Sequence, residues 1–414
     1  MAMTAYNSID AAIQVKKFLT DVARQSIPVD VFESNSERMV ITGDTDAQIP
    51  TSIYIKIDAS ANDAHSVVVP LMEELSGAET TGSTSQIGAE ENIGFRSFTM
   101  FCNNVSHAII TERYGLAAHD YLPYLGANAS AKMADLMGTY FKQVDGRYKR
   151  QALLTGFSGN LTAAPVSKVA HWAPNWFVPK IAYGSQPSWD DTLATMTEAI
   201  GDAIETRGSS ASDSSWGDVL YLQQLEDYAR TVKCIKPIDF GDGSDGYVVV
   251  LPSSTIRRLK DPTATTGVAK LGQLFVDGAS FSPEMKMRFP SAIGKVGGLV
   301  LVSDPRNPTI LRAGSNGSWT LAAAYAPYGR GSDTRSTGTD VNTSLVGSLL
   351  GAGALYEWNP EPFHWEYNYE EYDRKVGAGL FKNVGYQIPT FQKTGTADSA
   401  QNFGSIVLPL ANPA

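Results

Sequence analysis

The chain has 414 residues, 43% of them apolar and 18% charged. That balance excludes a disordered chain and allows two or three domains with a sizeable core. Lys and Arg number 33 against 43 acidic residues, a net charge of −10, which argues against a nucleic-acid binder that relies on a basic surface.

Cys102 and Cys234 are the only cysteines, too few for a disulfide framework or a cysteine-based zinc site, and they read as free thiols in a reducing compartment. The N-terminus has no basic n-region and no apolar h-region, so it does not read as a signal peptide. No apolar run approaches the roughly 20 residues that span a bilayer. The expectation is a soluble, non-secreted protein.

Ile9, Ala12, Ile13, Val15, Phe18, Leu19 and Val22 fall mostly on one face at helical spacing and predict a short amphipathic helix. Val29–Phe32 then reads as extended, and Glu33 to Thr51 is polar and aperiodic, an arm more than a core element. Ile53–Ile57 alternates as a strand does, and Val67–Val69 follows, ending at Pro70. The stretch from Ser76 to Gly88 carries three glycines and almost no apolar side chain, and leads into the aromatic run Phe95–Phe101. This predicts a long hairpin with a polar tip. Such a hairpin cannot hold itself together alone, so it either stays unstructured or lies on another surface.

The strongest predicted helix follows. Met133, Leu136, Met137, Tyr140, Val144 and Tyr148 recur at i, i+3, i+4 and i+7, Asn128 or Ser130 caps the start, and Thr155 and Gly156 end it. Ser188–Asp191 and Ser215–Asp218 are capping starts for two further helices. The second has the stripe Leu222, Leu225, Ala229 and Val232. Tyr247–Leu251 reads as a buried strand, with a short helix after Ser253 or Ser254. Strands are expected at Gly297–Val302, Gly317–Leu321, Phe363–Tyr369, Val384–Phe391 and Ser405–Leu410, with a long polar loop from Tyr328 to Thr343. Runs of strands with separate helices give an α+β class.

The motifs that resemble chemistry lack their context. Gly241, Gly243 and Gly246 match a dinucleotide fingerprint, but a strand follows where a helix is needed, so the segment reads as a turn. Asp239, Asp242 and Asp245 do not have calcium-loop spacing. There is no phosphate-cradling G-x-x-x-x-G-K-[ST] and no G-x-S-x-G elbow. His65, His107, His119, His171 and His364 form no zinc-binding pair. Glu366, Glu370, Glu371 and Asp373 fit a solvated turn after a strand. The expectation is a chain that is not an enzyme and takes no cofactor and no metal.

The order of the elements resembles the major capsid proteins of tailed phages, on the Hong Kong (HK-ninety-seven)-like capsid fold, and within them the N-four-like podovirus branch. The resemblance rests on Leu71–Gly77 with Gly88–Glu91, on Ala152–Gly156, and on Gly347–Leu355 with Phe363–Asp373 and Gly385–Phe391. It implies an N-terminal arm at 1–52, an extended E-loop hairpin at 66–101, and a peripheral domain at 102–235 holding a spine helix at 128–156. An axial domain would span 236–350, with a return to the peripheral domain at 351–414. The implied function is self-assembly, as hexamers and pentamers, into the icosahedral shell around a double-stranded DNA genome. The implied partners are a separate scaffolding protein (unless a leader has been removed), a portal, and room for a cement or decoration protein. Packaged DNA would be touched only weakly and non-specifically, with no membrane contact. The location would be the virion, after assembly in the bacterial cytoplasm. The alternatives are an encapsulin-type nanocompartment shell and, further off, a soluble α+β enzyme.

Charge suggests which surfaces would meet. Glu73 to Arg96 carries five Glu (Glu73, Glu74, Glu79, Glu90, Glu91) against one Arg, a net of −4. Ala129 to Phe157 carries a net of +3, with Lys142, Lys149 and Arg150 among its bases. The two would steer a neighbour's hairpin onto the helix.

Some relatives weld their subunits by an isopeptide bond from a Lys on this hairpin to an Asn next door. Here Glu73 to Phe98 contains no Lys, and Arg96 is a guanidinium that stays protonated and does not attack. Mature particles boiled in SDS without reductant should therefore release one band near 44.5 kDa. A ladder of multimers that survives boiling would reveal another covalent route.

Overall fold

A computed structural model describes residues 30–41, 49–59, 66–72, 95–112, 129–155, 175–176, 179–180, 188–189, 219–241, 243–252, 255–256, 275–277, 281–289, 291–304, 309–313, 319–321, 343–370, 375–392, 400–402 and 404–411. The first helix expected from the sequence, most of the one after Ser188 and most of the 328–343 loop lie outside the described residues.

In chain order the elements begin with α1 (Val31–Ser34), β1 (Ser36–Ile41), β2 (Tyr54–Ala59), β3 (Ser66–Met72), β4 (Phe95–Phe101) and β5 (Asn103–Glu112). The long helix α2 (Ala129–Thr155) comes next, then the two-residue strands β6 (Asn175–Trp176), β7 (Pro179–Lys180) and β8 (Ser188–Trp189). Helix α3 (Val219–Asp227) runs into a π-helical turn (Tyr228–Val232), followed by β9 (Ile238–Asp239), β10 (Asp245–Pro252) and β11 (Phe275–Asp277). Helix α4 (Pro283–Arg288), β12 (Ala292–Val296), β13 (Leu299–Asp304), β14 (Thr309–Ala313), β15 (Trp319–Leu321) and β16 (Thr343–Leu350) lead to the long strands β17 (Leu355–Glu370) and β18 (Lys375–Gln387). The chain closes with β19 (Thr390–Gln392), β20 (Ala400–Asn402) and β21 (Ser405–Ala411).

Two sheets organise the body. The smaller has the order β1-β2-β17-β18-β5, with β1, β2 and β17 parallel and the rest antiparallel. The larger runs β11-β12-β13-β10-β16-β14-β15, with β21 and β9 added on β16 and β10, and β6 on β21. The expectation that 351–414 returns as a whole to the unit of the long helix is corrected here. β21 pairs along β16 from Ser344–Ala411 to Leu350–Ser405, inside the larger sheet. Its run Ile406-Val-Leu408 is fully buried, so both faces of the strand are covered.

The pleat of the smaller sheet sends alternate residues to two partners. Tyr54, Leu355, Leu380, Val384 and Tyr386 belong to the cluster that holds Met137, Phe141, Val144, Ala152 and Leu153 of α2. Ile55, Ile57, Tyr356 and Trp358 face the other way, against Val67, Val69, Phe98 and Met100 of the β3–β4 hairpin stem, with Met39 between. The stem is thus seated on its own subunit, and each large apolar side chain it buries contributes about 1.5–3 kcal/mol.

Several local expectations change. Val31 and Phe32 are helical, not extended: Asp30 accepts from the N–H groups of Phe32 and Glu33 at 3.1 and 3.0 Å and caps α1. The arm expected over 1–52 therefore ends early, because Val31 and Phe32 are buried and β1 is a sheet member. Ser188 and Trp189 lie in β8, paired with β7, and the residues that follow lie outside the described residues. On α2 the buried line runs Met137, Phe141, Val144, Lys149, Ala152, while Leu136 is 64% exposed. On α3, Leu222, Leu225 and Ala229 are buried as expected, but the wider π turn rotates Val232 out to 39% exposure.

Close backbone approach dictates two glycines. A Cβ on Gly385 of β18 would lie 2.1 Å from the carbonyl oxygen of Phe101, where the chain bends from β4 to β5. A Cβ on Gly351 would lie 2.7 Å from the carbonyl oxygen of Lys236. Gly385→Ala should cost about 1–3 kcal/mol by overpacking and lower the urea midpoint of the unassembled subunit. An unchanged midpoint would show that the bend is not held against β18.

Candidate functional site

The chemically unusual region lies between α2 and the smaller sheet, where charged groups are buried. Glu33 of α1 bridges two lysines: Lys149 Nζ of α2 donates to Oε1 at 2.7 Å, and Lys56 Nζ of β2 to Oε2 at 2.6 Å. Lys149 is 1% exposed and its ammonium stands 4.4 Å from the Tyr54 ring centroid and 5.9 Å from that of Phe32. Tyr54 donates its hydroxyl to Glu357 of β17. One turn back along α2, Asp145 accepts from Lys382 Nζ of β18 at 2.8 Å, with both side chains under 10% exposed at 7% and 5%. The Tyr386 phenol also hydrogen-bonds to Asp145.

The local chain explains the placement. Asp145 and Lys149 are four residues apart and share the face that carries Phe141 and Ala152, so packing the apolar stripe buries both charges. The Asp30 cap turns α1 so that Glu33 meets Lys149. Four carboxyl groups (Asp30, Glu33, Asp145, Glu357) then meet three ammonium groups (Lys56, Lys149, Lys382). Burial pushes the Asp145 carboxyl up, and Lys382 does not fully offset it. Burial also pushes Glu33 up, but Lys149 and Lys56 outweigh it and hold the carboxyl below its ordinary 4.5. Burial would depress Lys149, but the carboxylates of Asp30, Glu33 and Glu357 keep its pKa raised. Tyr54 and Tyr386 are both raised by burial first and by neighbouring carboxylates second.

This corrects one expected contact. Lys149, taken from the sequence as a charge offered to a neighbour, is sealed inside the subunit. Lys142 and Arg150 are half-buried on the same helix, and Arg150 donates to the Gly146 carbonyl oxygen at 3.0 Å. Glu73, Glu74, Glu79, Glu90 and Glu91 lie outside the described residues. Sequence reading missed Glu33, Lys56, Asp145, Glu357 and Lys382; charges at Asp145 and Lys149 on the apolar stripe were the available signal.

The second notable surface is the hairpin stem. Its inner side chains are buried, while Val68 and Phe101 on the outside are 55% and 60% exposed. Beneath it the Tyr356 hydroxyl and the Trp358 indole N–H are buried without a hydrogen-bond partner. Among the described residues no three His, Cys, Asp or Glu side chains group as metal ligands. Among them, too, no helix is long and apolar enough to cross a membrane.

No family model matches the chain, and no curated protein matches it. Solved structures do. The capsid of Ralstonia phage GP4 is similar at 16% identity over 94% of both chains, with a TM-score of 0.51. The head structure of Helicobacter pylori bacteriophage KHP40 is similar at 11% identity over 92% of this chain and 90% of that one, with a TM-score of 0.54. The capsid of cyanophage Pam1 follows at 16% identity over 88% and 90%, with a TM-score of 0.50. The chain has the mixed α+β fold of phage capsid proteins.

Removing one partner from a buried pair leaves an uncompensated charge, at a cost of about 3–5 kcal/mol. Glu33→Gln should therefore destabilise the subunit by that amount at pH 7, while the joint change Glu33→Leu with Lys149→Met should recover most of it. Because Glu33 titrates lower in the folded state, the unfolded chain binds more protons just below 4.5, so its contribution is present above that pH and lost as pH falls below it. Urea denaturation at pH 7, 5 and 3.5 should show a smaller acid loss for Glu33→Gln than for wild type. Parallel pH curves would refute this.

Proposed function

We propose that this chain is the major capsid protein of a tailed phage. It is built on the Hong Kong (HK-ninety-seven)-like fold in its N-four-like form, a structural and not a catalytic chain. The observation that carries the reading is the likeness to phage capsid and head structures along nearly the whole chain, at 94% and 92% of its length. In this reading 66–101 is the E-loop, α2 the spine helix, and the units 102–235 and 236–350 the peripheral and axial domains, with β21 assigned to the axial sheet. Copies close as hexamers and pentamers around double-stranded DNA, with a separate scaffolding protein, a portal and, where present, a cement protein. The particle is assembled in the bacterial cytoplasm and becomes the virion shell.

Charge complementarity between hairpin and helix survives without Lys149. With Lys149 and Asp145 used internally, Lys132, Lys142, Arg147 and Arg150 against Asp135 still leave +3. Lys142 and Arg150 remain the proposed contacts for Glu73, Glu74, Glu79, Glu90 and Glu91 of a neighbour.

Light scattering of the purified full chain, with its scaffolding protein where one is required, should show particles of megadalton mass. A variant lacking 76–94, with 73–75 left to close the stem, should keep the subunit's far-ultraviolet circular dichroism and urea midpoint but yield no shells. Normal particles from that variant, or a wild-type chain that never exceeds a small oligomer, would overturn the proposal.

A further inference from the structure

The charges gathered under α2 do not balance. Asp30, Glu33, Asp145 and Glu357 bring four carboxyl groups against the three ammonium groups of Lys56, Lys149 and Lys382. Fully ionised, the cluster carries one negative charge in excess. An uncompensated charge is expensive in a buried place, and binding one proton removes it.

Hydrogen bonding singles out the carboxyl that receives it. Asp30 Oδ1 accepts from two backbone N–H groups, at 3.1 and 3.0 Å, which favours its ionised form. Glu33 has an ammonium on each oxygen, at 2.7 and 2.6 Å. Glu357 is half-buried and accepts the Tyr54 hydroxyl. Asp145 is 7% exposed, and its Oδ2 accepts from Lys382 Nζ at 2.8 Å. Its Oδ1 is buried with no hydrogen-bond partner. A carboxylate is an acceptor at both oxygens, so Asp145 is the least satisfied anion of the four. Every element packed on this part of α2 bears on it. β17 presents Glu357, which works against its ionisation, and β18 presents Lys382 and Tyr386. Lys149 lies one turn along α2 and carries the influence of Glu33 and Asp30 from α1. β2 supplies Lys56 and Tyr54 to the same group, through Glu33 and Glu357. β5 presents His107, which stacks on Tyr140 at 3.9 Å. β21, which also touches α2, has no ionisable side chain.

We infer that Asp145 is a proton site built into the seat of α2: in mild acid it takes up one proton at Oδ1, while Glu33, held by Lys149 one helical turn along, stays ionised. Protonated at Oδ1, the carboxyl still accepts from Lys382 through Oδ2, so the contact between α2 and β18 persists. The two carboxyls then answer acid in opposite directions. Burial raises Asp145 above its ordinary 3.8, so the folded chain holds a proton that the unfolded chain has lost. The stability this supplies is fully present below 3.8 and is lost as pH rises through the folded value. The contribution of Glu33 is present above 4.5 and lost as pH falls through its lower folded value. The gain at one offsets the loss at the other, so the helix stays seated over a wider pH range than Glu33 alone permits. None of this depends on what the chain assembles into.

Two measurements on the unassembled full-length chain test this. In the first, chain labelled with carbon-13 at the aspartate side-chain carboxyl is titrated by infrared spectroscopy from neutral pH into acid. The difference between wild type and the joint variant Asp145→Asn with Lys382→Met isolates Asp145. A protonated-carboxyl band should grow in with a midpoint above 3.8. A midpoint at or below that value would overturn the proton site. In the second, urea denaturation of the same two chains is followed over the same range. As pH falls from the infrared midpoint toward 3.8, the folded-to-unfolded ratio of wild type should gain on that of the variant by about tenfold per pH unit. The groups common to both chains cancel in this comparison. A gap that stays constant with pH, or that moves in the variant's favour in acid, would overturn the inference. Asp145→Asn alone, read in the same way, serves if the joint variant does not fold.

Discussion

The desolvated ammonium of Lys149 sets the conditions that the surrounding elements meet. An isolated charge of that kind costs several kcal/mol in a protein interior. It is tolerated here because Glu33 reaches it from α1, and two aromatic faces, Tyr54 and Phe32, line its approach. That demand accounts for the Asp30 cap, since without the cap α1 would not turn Glu33 toward α2. It also accounts for Tyr54 being a tyrosine: its ring faces Lys149 while its hydroxyl reaches Glu357. The pairing is exacting in geometry and stabilises little in net terms against an apolar alternative. What it supplies is position. The long helix can slide along an apolar sheet at small cost, but it cannot slide away from a buried counter-ion.

The two faces of the smaller sheet divide the work. One receives the helix through apolar side chains and paired charges. The other receives the hairpin stem through apolar side chains alone, and leaves the Tyr356 hydroxyl and the Trp358 N–H unpaired. Buried orphan groups each cost about 1–3 kcal/mol, and the helix carries one as well, at Gln143 Oε1.

Elements with a strong period were legible in the sequence. The long helix was expected over 128–156 and spans 129–155, and the strands around Tyr247, Leu299 and Ile406 lie where a dense apolar run placed them, while the one expected over 384–391 begins at Lys375 and breaks at 388–389. What periodicity could not show was the direction of a charge. Lys149 reads as a surface residue because lysine almost always is one, and only its position beside Phe141 and Ala152 argued otherwise. Glu33 is 116 positions from Lys149, and no local pattern links them. α1 was missed because one capped turn has no period, and Val232 because a π turn breaks the period that earlier residues had set. The destination of β21 is a matter of sheet order, which a strand's own sequence does not encode.

The crossing between the sheets is made by atoms that every residue type possesses. At Gly351 and Gly404 the neighbours of the missing Cβ include backbone carbonyl oxygens, and Gly246 meets the Gly298 carbonyl oxygen in the same way. A joint specified by the absence of side chains prescribes very few letters. It demands glycine at a handful of sites and leaves the rest of the alphabet open. Apolar positions in the sheets are similarly undemanding, because volume and pattern matter there more than identity. Such an architecture can be inherited through long divergence while its written form is almost wholly replaced. This chain has the fold of capsids with which it shares 11–16% of its residues.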